Sequence, residues 1–327
     1  MIRIFPDLDE DLLIRLFHKG ARFTWTSADV DWEAPWQLDR QQARSLARLL
    51  TPVYLGEQSA MIGASAIMPQ LMNAGETTAQ VYLASFIFDE ARHFEALTHL
   101  YRRLEVTPAG IREVPEMLRY HHRLRQGDRA DWVWGILISD LFAKQFYGMF
   151  AKSQPEALFG QMSGRILRDE SRHQAFADEY LRRAIPSMSD ARRLQLVSLR
   201  DDLMATMEAM YGRLNDDAVA LSIDGRAFLD RLMADVDTHA RRIGLTPGPG
   251  DDPGGRPSGN GRSATVSLAE RRSRQASSGP TPSAQASATH SGAGATASAN
   301  EACDDACGTC YLAALCASRL VTRATAG

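Results

Sequence analysis

Cysteine is missing from the first 302 residues of this 327-residue chain, and all four cysteines fall between Cys303 and Cys316. The main body therefore has no disulfide framework and suits a reducing cytoplasm, where the sequence predicts the protein to reside. Lysine is scarce too, occurring only as Lys19, Lys144 and Lys152, a bias toward arginine that carries no functional reading by itself. No uninterrupted apolar stretch reaches bilayer length, so no helical membrane span is expected. Met1 to Leu12 are acidic and hold no apolar core of leader length, which argues against secretion. Charge of one sign is also lacking. With a net charge of −3, no strong field draws nucleic acid or an anionic membrane, and neither is expected as a partner. What remains is an ordinary globular balance, 44% apolar and 24% charged, which rules out a wholly disordered chain and a coiled-coil rod.

The pattern divides near residue 246. Before it, apolar residues recur at helical spacing with few strand and turn signals, so residues 1–245 read as an all-α domain. From 246 to 300, Gly, Pro, Ser, Ala and Thr dominate. Such a segment buries too little surface to offset its ordering entropy and reads as a disordered linker. A short cysteine-rich tail, 301–327, follows. Within the domain the spacing predicts a long helix over Asp39 to Met72, kinked at Pro52 because proline lacks an amide hydrogen. Further helices are expected over Thr77 to Leu104, Ile111 to Arg125 and Asp131 to Lys152. Another is opened by Pro155 and closed before Pro186, and two more lie near Asp190–Leu221 and Gly225–Ile243. The mixed-charge faces of the last two read as solvated surface.

One motif recurs. Asp89-Glu90-Ala91-Arg92-His93 and Asp169-Glu170-Ser171-Arg172-His173 share the form D-E-x-R-H. Residues three apart on a helix face the same way, so each Glu and His can reach a common point. Two Glu-x-x-His helices, with one carboxylate from each of two others, build the inward site of ferritin-like dimetal carboxylate proteins. A single Glu-x-x-His is weak evidence, whereas two five-residue matches are too many for chance.

Helix depth selects the remaining carboxylates. Glu90 follows the first interhelical loop by 16 residues, and Glu57 precedes it by 17, the one acid between Asp39 and Glu76. Glu170 follows the second loop by 16 residues, and Asp140 precedes it by 14. Asp140 sits among Trp134, Ile136, Leu137, Ile138, Leu141, Phe142 and Phe146, where an uncompensated charge is very costly. The four carboxylates Glu57, Glu90, Asp140 and Glu170 balance two divalent cations, with His93 and His173 as neutral ligands. Oxygen and nitrogen donors without thiolate suit iron or manganese. Asp89 and Asp169 are placed to hold imidazole N–H groups, and Arg92 and Arg172 to neutralise those aspartates.

On these residues the chain resembles the ribonucleotide reductase small subunit (R2) and its relatives, the R2-like ligand-binding oxidases and the hydroxylase subunits of multicomponent monooxygenases. The resemblance covers roughly residues 20–185. It implies a ferritin-like four-helix bundle with extra helices, a homodimer, and an Fe–Fe or Mn–Fe centre that reduces O₂. The implied ligands are Glu57, Glu90, His93, Asp140, Glu170 and His173, with aspartates 89 and 169 each reaching the opposite motif's histidine. Three departures stand out. Leu97 occupies the place of the radical-bearing tyrosine of many R2 proteins. Ala60 and Gly135 stand nearest to the Val–Tyr crosslink of the ligand-binding oxidases. Asp140 replaces the usual glutamate. Trp25, Trp32 and Trp36 precede the first ligand helix, where R2 carries an electron-relay tryptophan, but read first as core residues. Tyr54 and Tyr147 lie within reach of the centre and read first as packing, while His99, His121 and His122 read as solvated.

The tail, Cys303-x₃-Cys307-x₂-Cys310-x₅-Cys316, has spacing that suits Zn²⁺ or an iron–sulfur cluster, or thiols that exchange electrons or disulfides with a partner. The leading functional expectation is an O₂-activating dimetal oxidase or oxygenase acting on an organic or carrier-bound substrate, supplied by an electron-donor protein. Its competitors are an R2 subunit that generates a radical or high-valent oxidant for a separate large subunit, a ferritin-like iron-binding protein without catalysis, and a metal-free scaffold.

Overall fold

The computed structural model describes residue 8 and residues 11–36 and 38–246. The linker and the cysteine tail lie outside the described residues. Those described are helical, with no strand among them. In chain order the helices are α1 (Leu12–Arg22), α2 (Arg40–Ala74), α3 (Thr77–Arg103), α4 (Pro115–Arg125), α5 (Arg129–Ser153), α6 (Leu158–Ala184), α7 (Asp190–Arg213), α8 (Asn215–Ala220) and α9 (Gly225–Arg242).

Local chemistry sets the boundaries. Asp39 caps α2 by accepting from the amides of Gln41 and Gln42, both at 2.8 Å, while the Gln42 side chain accepts from the Asp39 amide at 3.1 Å. The far end stops at Gly75, whose φ of 72° is left-handed backbone that glycine adopts without strain; the Glu76 amide then donates back to the Leu71 carbonyl at 3.0 Å. Asp128 caps α5 in the same way as Asp39. α2 runs on through Pro52 and Pro69 as one helical element.

α2 and α3 form one hairpin and α5 and α6 another; α2 also packs on α5, and α3 on α6, which closes a four-helix bundle. α1 covers α3 and α6, α4 and α7 pack together over one flank, and α8 and α9 seal the rest. The core is one continuous apolar cluster that includes Leu50, Leu83, Leu97, Leu137, Tyr147 and Ile166. Two boundaries differ from expectation. α1 joins the bundle, and the helix expected to run from Asp190 to Leu221 breaks at Leu214, after which Asp216 and Asp217 supply the acidic first turn of α8. No helix among the described residues is long and apolar enough to cross a membrane.

Candidate metal centre

The bundle gathers six chemically suitable side chains in its interior: Glu57 from α2, Glu90 and His93 from α3, Asp140 from α5, and Glu170 and His173 from α6. All six are buried. They form two donor sets, Glu57–Glu90–His93–Glu170 and Asp140–Glu170–His173, and within each set the donor atoms lie within 4.8 Å of one another. Glu170 belongs to both. Four buried atoms in this group have no hydrogen-bond partner: His93 Nδ1, His173 Nδ1, Asp140 Oδ2 and Glu170 Oε2. Unsatisfied polar atoms of this kind are expensive and rare in a native interior. Here they converge, carry only oxygen and imidazole nitrogen, and so fit a pair of hard or borderline cations.

Without ions, protons do the neutralising. Burial and the neighbouring Glu57 push the Glu90 carboxyl well above its usual range, and burial with Glu170 does the same to Asp140. Burial also works to raise Glu57, but the adjoining Glu90 carboxyl and the charges of His93 and His173 outweigh it and hold that carboxyl low. Burial alone would lower both histidines. The aspartate at Nε2 and the carboxylates at Nδ1 win instead, raising His93 to about 10 and His173 to about 9.

A buried lattice holds the imidazoles. His93 Nε2–H donates to Asp169 Oδ2 at 3.1 Å, and His173 Nε2–H donates to Asp89 Oδ2 at 3.3 Å, so each motif's aspartate serves the other motif's histidine. Arg172 bridges both aspartates, at 2.9 Å to Asp89 and 2.7 Å to Asp169. Arg92 does likewise, bonding Asp89 tightly and Asp169 at 3.2 Å. Asp89 and Asp169 are consequently held below the usual carboxylate range, despite burial that pushes the other way. With Nε2 committed to an aspartate, each ring presents Nδ1 inward: His93 Nδ1 faces Glu57 at 3.4 Å, and His173 Nδ1 faces Glu90 at 3.2 Å.

Several secondary expectations change. Trp25 is more than core packing: its indole N–H donates to Asp169 Oδ2 at 2.7 Å, which makes a continuous chain Trp25–Asp169–His93. Trp32 instead donates to the Ser27 carbonyl, and Trp36 packs at the edge of the core. Tyr147 also exceeds a packing role, with its hydroxyl 3.4 Å from Glu57 Oε1 in a fully buried setting. Tyr54 does pack, stacked on Phe94 and bonded to Thr98. Leu97 is fully buried in the core. At Gly135 a Cβ would lie 2.2 Å from Leu124, so the helix has no room for a tyrosine there. His99 is part-exposed, but His121 is buried, contrary to the solvated reading, because α4 packs that face against α2.

A cavity of about 720 Å³, its open mouth included, reaches the centre, with Glu57, Glu90, Asp140 and Glu170 in its wall. The rest is mainly apolar, formed by residues such as Val53, Met117, Ile136, Phe142 and Met207 from α2, α4, α5 and α7.

No protein-family model matches the chain. Among solved structures it is similar to an R2-like ligand-binding oxidase with aerobically reconstituted Mn/Fe cofactor, at 18% identity and a TM-score of 0.60 over 72% of this chain and 94% of that one. A second is an R2-like ligand-binding oxidase with aerobically reconstituted metal cofactor after photoconversion, at 18% identity and 0.61 over 72% and 95%. A third is a variant with anaerobically reconstituted Mn/Fe cofactor, at 17% identity and 0.62 over 72% and 95%. The chain thus has the fold of these R2-like ligand-binding oxidases.

Proposed function

We propose that the chain is an R2-like dimetal-carboxylate oxidase or oxygenase that uses O₂ to oxidise an organic substrate. Glu57, Glu90, His93, Asp140, Glu170 and His173 would hold two ions, Fe–Fe or Mn–Fe, with Glu170 common to both donor sets. Such a pair supplies Lewis acidity and the electrons for O₂ reduction. The chain's own contribution is placement. Asp169 and Asp89 fix the Nε2–H tautomer and leave Nδ1 of each histidine as the donor. The apolar wall beside the carboxylates gives a substrate somewhere to lie.

The observation that carries this reading is the convergence of four unpartnered buried donor atoms from α3, α5 and α6. Elemental analysis of the full chain, loaded anaerobically and then exposed to O₂, tests it. Two ions per chain are expected, with metal lost in His93→Ala and His173→Ala and O₂ consumed by the loaded protein alone. Metal content at background, or uptake of many ions per chain as in a storage protein, would overturn it.

The Trp25–Asp169–His93 chain favours a second reading, an R2 subunit that passes oxidising equivalents to a separate large subunit. Leu97, where many R2 proteins carry their radical tyrosine, weighs against it. Ribonucleotide reduction on mixing with a reductase large subunit would reverse the preference.

A further inference from the structure

Away from the Glu57, Glu90, Asp140 and Glu170 cluster, the cavity's polar groups are nearly all spent. Ser139 donates to the Ile136 carbonyl at 2.8 Å, Thr206 to the Asp202 carbonyl at 2.9 Å, and Tyr120 to the Gly135 carbonyl at 2.7 Å. Glu116 accepts from Arg119 at 2.8 Å and from two Arg213 nitrogens at 3.0 Å. One hydroxyl in the wall is different. Ser59 makes no bond to its own helix, whereas Thr51 and Ser65 of the same helix donate four residues back, to Ala47 and Met61. Its oxygen lies 2.6 Å from His121 Nδ1, across the gap between α2 and α4.

We infer that Ser59, oriented by His121, is the polar anchor of this cavity, and that the molecule it takes is largely apolar with one neutral hydrogen-bond acceptor such as a ketone, ester or amide carbonyl. This rests on reading the cavity as the substrate's place.

The proton inventory sets the polarity of the anchor. Burial, with Arg125 and His122 nearby, pushes His121 down to about 4, so the ring is neutral at pH 7 and carries one N–H. His121 Nε2 is buried without a partner. A hydrogen there would be an orphaned buried donor, a rarer and costlier arrangement than an idle acceptor. The hydrogen therefore belongs on Nδ1, donated to Ser59, and the Ser59 hydroxyl hydrogen is free to turn into the cavity. An acceptor on the ligand completes the network. The acceptor at Ser59 is neutral because no lysine, arginine or histidine lines the wall to balance an anion, and Glu57, Glu90, Asp140 and Glu170 would already cancel the charge of two divalent ions.

Binding of 2-nonanone, labelled with carbon-13 at the carbonyl, to the metal-loaded full chain tests this, with octanoate as the anionic counterpart and metal content measured on every sample. The carbonyl stretch of the bound ketone is expected to shift to lower frequency. Ser59→Ala is expected to abolish that shift and weaken binding about threefold to tenfold, the worth of one hydrogen bond. Ser59→Thr keeps the hydroxyl and is expected to keep the shift, with two ions per chain in all three proteins. An unchanged carbonyl band and affinity in Ser59→Ala would overturn the proposal. So would failure of the loaded chain to bind the ketone, or a Ser59-dependent preference for octanoate. Ketone binding with a Ser59-dependent band but no bound metal would sink the oxidase reading and leave the anchor standing.

Discussion

Loading the centre with metal is expected to expel protons, in a number that burial and geometry set. His93 is held to about 10 and His173 to about 9, so at pH 7 each ring carries hydrogen on both nitrogens. The Nε2–H bonds are committed to Asp169 and Asp89, and an ion competes only with the Nδ1 proton. Displacing it at pH 7 costs about 4 kcal/mol for His93 and about 3 kcal/mol for His173. The sign follows from raised values: protons compete hardest at low pH and cease to compete as pH rises through 9 and 10. Metal affinity therefore climbs with pH, about tenfold per unit for each proton released. Glu90 and Asp140, both pushed upward by burial, add to the count. Calorimetric titration of the metal-free full chain with Mn²⁺ at pH 7, repeated in buffers of different ionisation enthalpy, reads the number directly. At least two protons per saturated chain are expected. Release of fewer than one, or an affinity flat between pH 6 and pH 8, would refute the reasoning.

Asp169→Asn removes the charge that Arg92, Arg172, Trp25 and His93 all share. It is expected to cost the metal-free protein about 3 kcal/mol by denaturant melting at pH 7. Because the carboxyls of Asp169 and Asp89 lie below their unfolded range, the stability they contribute is present above about pH 4 and lost as pH falls, so the variant is also expected to flatten the acid limb. Gly63→Ala would set a Cβ 1.7 Å from Trp132 Nε1; a loss of about 1–3 kcal/mol is expected in thermal melts, and an unchanged melt would contradict the packing. A chain ending at Thr246 is expected to keep its full complement of bundle metal, and any zinc, or iron with sulfide, that vanishes from the elemental analysis with the truncation belongs to Cys303, Cys307, Cys310 and Cys316.

Much of the site was legible because its geometry is local. Glu90 and His93, like Glu170 and His173, lie three residues apart on single helices, and antiparallel hairpins placed Glu57 and Asp140 at matching depth. What was hidden depends on partners remote in sequence. Nothing near Trp25 announces that its indole will meet Asp169, 144 positions away. The segment carrying His121 reads as polar, Arg-Tyr-His-His-Arg, and only the packing of α4 over α2 buries that ring beside Ser59. α1 and the break at Leu214 were a different kind of omission. Asp11 before Leu12-Leu13-Ile14, and Asn215-Asp216-Asp217, are visible helix-start signals that the wider periodicity obscured.

The crossed aspartates have a consequence for how the protein tolerates chelators. Arg92 and Arg172 stitch α3 to α6 through Asp89 and Asp169, and these ties need no ion. A zinc finger collapses when its metal is stripped, because the ligands are the architecture. Here the ties stand behind the donor atoms, so on the proposed reading the frame would be finished first and any metal would enter it afterwards.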